Sequence, residues 1–466
     1  MLIVGLYLFY KCTISQGMSV SMIYAALPLL AVAIVLLMKH SNSAFYLLFA
    51  SHFILVIGGG FADIKIGMFS LIITLSVVSL MLMRNIYENI NWKSSRNGML
   101  LLYSIWLAFC IAEIINPNNV QEAWNISITQ YAVYPIVCAL LVPVFIKKTS
   151  NIEWLLIIWS VFILIFAMKG YWQKNHGFNA HELYFLYVLG GAKTHIIWSG
   201  IRFFSFFSDA TNFGVHMAMG ITGLGISLFY VKNIWLKIYL AIVIIAGIYG
   251  MGISGTRGAI AIPLGGLALF ILLSYHWKNF VLGLLMFLSI FIFFRYSSIG
   301  EGNQYVSRMR TAFTPTEDAS YQLRIVNRKK IKEYMADKPF GYGIGLGGKA
   351  ERFEPKELLP LPPDSWLVSV WTDTGVVGLS LYLILHGILF AWCAWILRFK
   401  IMNKQLRGLL MAWLCVNAGF FVSTYTNDVM QYPNSIVVYT GFALCFAGPH
   451  IDKRIAKKKK DEFLEL

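Results

Sequence analysis

Residues 234–274 read IWLKIYLAIVIIAGIYGMGISGTRGAIAIPLGGLALFILLS. Two apolar runs, 234–252 and 257–274, are each long enough to cross a hydrocarbon core of about 30 Å as a helix. Only a short turn separates them, so the chain must reverse at one membrane face. That turn, Ser254-Gly255-Thr256-Arg257-Gly258, sets a cation where helix packing asks for none. Its glycines give the backbone room to present N–H groups to an anion.

The same reading extends in both directions. Further apolar runs lie at 22–38, 44–60, 64–83, 99–115, 128–146, 152–169, 211–231, 279–295, 366–397, 405–423 and 433–448. The expected fold is all-α, a polytopic transmembrane helical bundle of about 13 (12–14) spans. A fourteenth span arises if residues 1–17 also cross. Residues 1–10 lack a basic flank and a small-residue cleavage site and are read as retained. Composition agrees: of 466 residues, 58% are hydrophobic and 13% charged, against about 25% charged in soluble domains. An ordinary cytosolic enzyme, a disordered chain and a small disulfide scaffold are excluded. The six cysteines lie singly without metal-ligand spacing, so neither a disulfide framework nor a zinc site is expected, and no metal or cofactor is read from the sequence.

The net charge of +16 is attributed to cytoplasmic loops and a basic tail near anionic lipid, with no nucleic-acid partner. If the tail (Lys453, Arg454, Lys457 to Lys460) is cytoplasmic, alternation puts the loops 39–43, 84–98, 147–151, 232–235, 275–278 and 398–404 on the same side. Each of these carries Lys or Arg. The opposite short loops, 116–127 and 424–434, carry none. The expected organisation is transmembrane helices over 1–295 with an outer loop at about 170–210. A large extracytoplasmic loop with short helices then covers 296–364, C-terminal spans cover 365–448, and a basic tail covers 449–466. Long loops translocate largely regardless of charge, which accommodates the many cations of 296–364. Within that loop, 320–337 reads as a surface helix with Tyr321, Ile325, Ile331 and Met335 near one side. A Pro-rich stretch (Pro355, Pro360, Pro362, Pro363) stiffens the approach to the next helix.

Arg202, Arg257 and Arg324 come from three segments on the same outer side. Guanidinium groups bind phosphate bidentately and stay charged, so a pocket for a pyrophosphate headgroup is one reading. The bland alternative is that each snorkels to lipid phosphate or pairs with an acid. Asp364 is placed at the N-cap of the helix that follows, as a simple cap or as a general base. Asp373 is read as structural. The formal GxGxxG at Gly343, Gly345 and Gly348 follows no strand and sits in no βαβ unit, so it is read as a flexible, closely packed loop and not a dinucleotide site. His176, His181 and His195 have no metal-ligand spacing and are read as interfacial, with acid/base work left open.

Four segments resemble landmarks of the O-antigen ligase and polymerase superfamily: RFFSFFSDATNFG (202–214), SGTRGAIAI (254–262), SYQLRIVNRKKIKEYMADKPFGYGIGLGG (320–348) and DSWLVSVWTDTG (364–375). The resemblance implies metal-independent, inverting glycosyl transfer in the bacterial inner membrane, with the site on the periplasmic face and no cofactor. The donor would be an undecaprenyl-pyrophosphate-linked glycan, and the partners the bilayer and a chain-length regulator protein. Arg202, Arg257, Arg324, Arg328 and Asn212 would bind substrate, with Arg257 and Arg324 also stabilising the leaving group and Asp364 acting as base. Ligases of the family carry His where this chain has Asp364 and Glu where it has Asp373. That departure favours a polymerase of O-antigen, capsule or exopolysaccharide repeat units. The alternative is an O-antigen ligase acting on lipid A core or protein. A polysaccharide-lipid transporter is a further alternative, but it would be expected to show repeated halves and midplane charges, and no internal repeat is found.

The expected topology is testable. A phosphatase reporter fused within 296–364 should be active only outside the cytoplasm. A fluorescent reporter fused after Leu466 should fold only inside. The opposite pattern at either position would invert the bundle.

Overall fold

The computed structural model describes residues 41–62, 65–88, 90–197, 200–274, 277–314, 319–348 and 350–464. The expected span at 22–38 and the fourteenth at 1–17 lie outside them. Every other apolar run corresponds to one helix: α1 (Ser41–Gly59), α2 (Ile66–Tyr87), α3 (Gly98–Ala112), α4 (Gln121–Phe145), α5 (Thr149–His176), α7 (Ala210–Ser227), α8 (Ile234–Ser254), α9 (Ala261–Leu273), α10 (Trp277–Tyr296), α13 (Trp366–Phe399), α14 (Lys404–Thr424) and α15 (Asn434–Leu464). Between α5 and α7 come α6 (Ala180–Tyr187), a single turn at Ala192–His195 and a two-residue hairpin pairing Ile196–Ile197 with Gly200–Ile201. Between α10 and α13 come α11 (Gln304–Arg310) and α12 (Ala319–Tyr334).

Among the described residues, eight helices are long and apolar enough to cross a membrane: α2, α3, α4, α5, α8, α10, α13 and α14. α1 and α9 are shorter apolar helices. The difference from about thirteen has a physical source. α7 carries four glycines, two threonines, an asparagine and a histidine, yet nearly all of it is buried inside the protein, and a helix shielded from lipid need not be strongly apolar. α15 begins apolar and buried, then continues as a basic helix. The stretch 449–466, expected as a separate tail, is therefore helical through Leu464. Two more boundaries move. α5 runs on to His176, taking in the start of the expected 170–210 loop. α4 starts at Gln121 through a π-helical turn at Thr129–Val133.

α14 lies at the centre, packed on α7, α9, α13 and α15. In α4 and α14, 78% of the apolar window is buried, against 6% in α10, so α10 sits at the periphery with its apolar face turned outward. The basic loops collect at one end of the bundle. There, burial and the nearby Arg454 and Arg84 push the Lys147 pKa down. Asp452 accepts from the N–H groups of Met402 (3.1 Å) and Asn403 (2.9 Å), and Gln405 bonds Glu153. The starts of α7 and α13 and the ends of α8 and α14 lie at the opposite end.

The segment after α12 is bound to that opposite end by a break in α13. Gly375 has φ 67° and ψ −172° inside the helix. The freed groups bond the incoming chain: Tyr342 N–H donates to the Thr372 carbonyl (2.8 Å), Gly343 N–H to the Asp373 carbonyl (3.0 Å), and Val377 N–H to the Pro339 carbonyl (3.2 Å). The Asp373 carboxylate accepts from the N–H of Gly347 (2.7 Å), the N–H of Gly345 (2.9 Å) and the Tyr131 hydroxyl (2.8 Å). The glycine run is thus a fitted plug held by backbone bonds, and Asp373 is its anchor. Beneath it, Ile331 of α12 and Met335 just after it pack with Tyr342, Leu346 and Leu359 in a small separate core.

A side chain at position 375 would place Cβ 1.9 Å from the Pro339 carbonyl oxygen, on a φ of +67°. Gly375→Ala should lower stability by about 2–4 kcal/mol. Gly387→Ala, on the same helix with nothing within 4 Å, should cost nothing. Thermal unfolding of the two purified variants compares them.

Candidate active site

Arg202, Arg257 and Arg324 line one cavity of about 200 Å³, joined by Arg308 from α11. Each arrives by a different route. Arg202 follows the small hairpin, with its N–H on the His195 carbonyl (2.8 Å). Its guanidinium donates to four neutral oxygens: the carbonyls of Ser254 (3.2 Å) and Thr194 (3.2 Å), and the hydroxyls of Thr211 (3.2 Å) and Thr256 (3.1 Å). Arg257 opens the turn between α8 and α9 and donates to the Thr311 hydroxyl (3.1 Å). Arg324 projects from α12. Gly255, left-handed at φ +58°, caps α8, and a Cβ there would meet the Arg308 guanidinium stem at 3.2 Å. A Cβ on Gly258 would meet Asn427 Nδ2 at 2.3 Å. Both glycines of the Ser-Gly-Thr-Arg-Gly turn are therefore required by close approach.

Among the described residues, no carboxylate lines this cavity. Asp209 is nearby but engaged elsewhere: it accepts from the N–H groups of Thr211 (2.8 Å) and Asn212 (2.9 Å) and from Asn212 Nδ2 (2.7 Å), capping α7. Burial lowers the Arg202 pKa to about 10. Asp209 partly offsets this, and Arg257 and Arg324 add to it. Arg202 therefore stays charged at neutral pH in a setting that favours an anion.

The remaining expected residues fall differently. Asn212 does not line the cavity. It is 1% exposed, and its amide joins Asp209 to Asn434 (3.1 Å), which also contacts His216 (2.9 Å). Arg328 donates to the Tyr425 carbonyl, with its guanidinium 4.3 Å above the Tyr425 ring. The N-cap of α13 is Ser365, not Asp364. Asp364 lies one residue earlier, where it accepts from Asn327 of α12 (3.2 Å). His195 is buried, accepts from the Ala210 N–H through Nε2 (3.1 Å) and lies 2.8 Å from the Gly191 carbonyl through Nδ1. Burial lowers its pKa, so the ring is neutral and helps fix the start of α7.

A second cavity of about 300 Å³ shares the 425–428 turn with the first. Asn427 lines the arginine cavity, and the next residue, Asp428, lines this one with Gln130, Gln431, Ser208, Trp366 and Tyr432. The Asn427 carbonyl accepts the Trp366 N–H (3.0 Å), so the 425–428 turn and the start of α13 are one unit. Sequence reading missed Arg308, Asn427 and Asp428. Arg308 is one of many loop cations. The other two occupy a short polar turn that resembles any outer connection.

Residues 240–383 match the family model described as O-antigen ligase. The match covers about a third of the chain, includes Arg257, Arg308, Arg324 and the α13 break, and supports the resemblance to the O-antigen ligase/polymerase superfamily. A comparison with curated proteins finds no match.

The electrostatics generate a direct test. Inorganic diphosphate should raise the unfolding temperature of the detergent-purified protein by a few degrees. Arg257→Gln and Arg324→Gln should each weaken that shift without abolishing folding. An equal shift in all three proteins would show that the cavity does not bind the anion.

Proposed function

We propose that this protein is a glycosyltransferase that polymerises undecaprenyl-pyrophosphate-linked oligosaccharide repeat units. The observation that carries the reading is the convergence of four arginines from four segments on one pocket, near a pocket with the amides, carboxylate and aromatic faces that suit a sugar. In this reading the diphosphate of the donor lies against Arg202, Arg257, Arg308 and Arg324. The acceptor sugar lies in the neighbouring pocket, against Trp366 and Tyr432 and within reach of Gln130, Gln431 and Asp428.

The reaction is a single displacement. The acceptor hydroxyl oxygen attacks the anomeric carbon of the donor sugar from the face opposite the diphosphate, and the configuration inverts. The carbon–oxygen bond to the diphosphate breaks, and its electron pair leaves on the phosphate oxygen. The hydroxyl proton passes to a carboxylate. Charge that builds on the leaving group is stabilised by guanidinium groups already in position. We assign the proton to Asp428, which lines the acceptor pocket. Asp364, expected in that role, is tied to the helix that carries Arg324 and acts by positioning it.

A ligase with the same chemistry is the second reading, favoured by the description of the matching family. Deletion separates the two. Loss of a polymerase leaves single repeat units on the final acceptor, whereas loss of a ligase leaves long chains on the lipid carrier. Within either reading, Arg257→Ala and Arg324→Ala should each reduce product by at least about a hundredfold. Asp428→Asn should lower turnover with little change in KM. Unaltered glycan length on gels in both arginine variants would overturn the proposal. Full loss in Asp364→Asn with normal turnover in Asp428→Asn would return the base to Asp364.

A further inference from the structure

The opposite end of the bundle holds a second cationic cleft, about 540 Å³ in volume, between the start of α3, the end of α13 and the middle of α15. Arg96, Lys400, Lys453 and His450 line it together with Trp392 and Trp395. Among the described residues, no carboxylate lines it. The acid next to Lys453 in sequence, Asp452, is instead occupied by the N–H groups of Met402 and Asn403. Lys400 Nζ sits 4.8 Å above the Trp395 ring. Trp392 lies directly on Gly98, where a Cβ would meet its ring at 2.4 Å. Below the cations the wall is apolar and faces outward: Leu101 is 57% exposed and Trp395 46%.

Cations above, tryptophan at the boundary and an outward apolar wall beneath form the profile of a lipid molecule, with headgroup at the top and acyl chains alongside. A soluble polyanion would have no use for the apolar wall. We propose that this cleft binds the headgroup of an anionic phospholipid in the leaflet at the basic end of the bundle, with its acyl chains against α3 and α13. The site is separate from the arginine cavity and independent of the reaction assigned there.

The test uses the full chain in detergent, titrated with phosphatidylglycerol or phosphatidylcholine and read by native mass spectrometry. Wild type should retain phosphatidylglycerol in preference to phosphatidylcholine. Each cation removed should weaken phosphatidylglycerol about fivefold, so Arg96→Gln/Lys400→Gln/Lys453→Gln together should lose well over tenfold. The charge-matched tail variant Lys457→Gln/Lys458→Gln/Lys460→Gln should bind as wild type does. If the triple cleft variant does not fold, the exposed Lys400→Gln alone decides, with a loss of about fivefold expected. Equal retention of the two lipids by wild type would overturn the proposal. So would undiminished binding in the cleft variants, or an equal loss in the tail variant.

Discussion

The Arg202 guanidinium is held by four neutral oxygens, while the carboxylate of Asp209 is engaged by the start of α7. The rest of the outer mouth depends on this separation. A carboxylate paired with Arg202 would neutralise the pocket and compete with any anionic ligand. Neutral oxygens fix the guanidinium in place, and Asp209, engaged by the helix cap, offsets its charge only in part. Two unit charges 4 Å apart attract by about 4 kcal/mol at an effective dielectric of 20. A dianionic group against several guanidiniums therefore has far more to gain than a neutral one. Asn212 is the hinge of the arrangement, since its amide keeps Asp209 on the helix cap and links it to the buried Asn434 and His216.

The second constraint is the interruption of α13 at Gly375. A continuous helix would leave no backbone groups for the segment after α12. The break frees the Thr372 and Asp373 carbonyls and the Val377 N–H, and the chain from Pro339 to Gly347 takes all three. This brings α12, and Arg324 with it, to a fixed height above the bundle. The Asp364–Asn327 bond and the Arg328 contact with the 425–428 turn hold the same helix from two other directions. A long extramembrane segment is thereby made rigid enough to deliver one side chain to a pocket built mainly by the bundle.

Much of this was readable in the sequence because a bilayer imposes simple rules. Apolar runs located every described spanning helix, and the cations Arg84, Lys147 and Arg454, from three of the basic segments, meet at one end of the bundle. The Ser-Gly-Thr-Arg-Gly turn stood out because a cation between two apolar helices lacks a packing reason. What could not be read depended on contacts distant in sequence. Asp373 anchors backbone N–H groups 26 and 28 residues away, and Asn427 supports a helix that begins more than sixty residues before it. The boundary of α13 was off by one residue because Asp and Ser are both good caps, and only the backbone geometry selects Ser365. α7 coincides with the apolar run at 211–231, although burial in protein, not contact with lipid, is what surrounds it.

The two cationic clefts use different chemistry for related ligands. Among the described residues, the charged groups that line the outer cavity are guanidiniums. Guanidinium is planar, weakly hydrated and suited to bidentate grip of a phosphate that must be oriented for reaction. The opposite cleft mixes two ammonium groups and one guanidinium with tryptophan faces. Ammonium is a compact, strongly hydrated point charge, adequate for attraction and poor at fixing orientation. A pocket that must hold a leaving group in line with an attacking hydroxyl needs the first kind. A cleft that only has to keep a lipid beside the helices is served by the second. On these two proposals the excess of positive charge serves two ends that composition alone cannot separate, and the identity of the cations and their aromatic neighbours divides them.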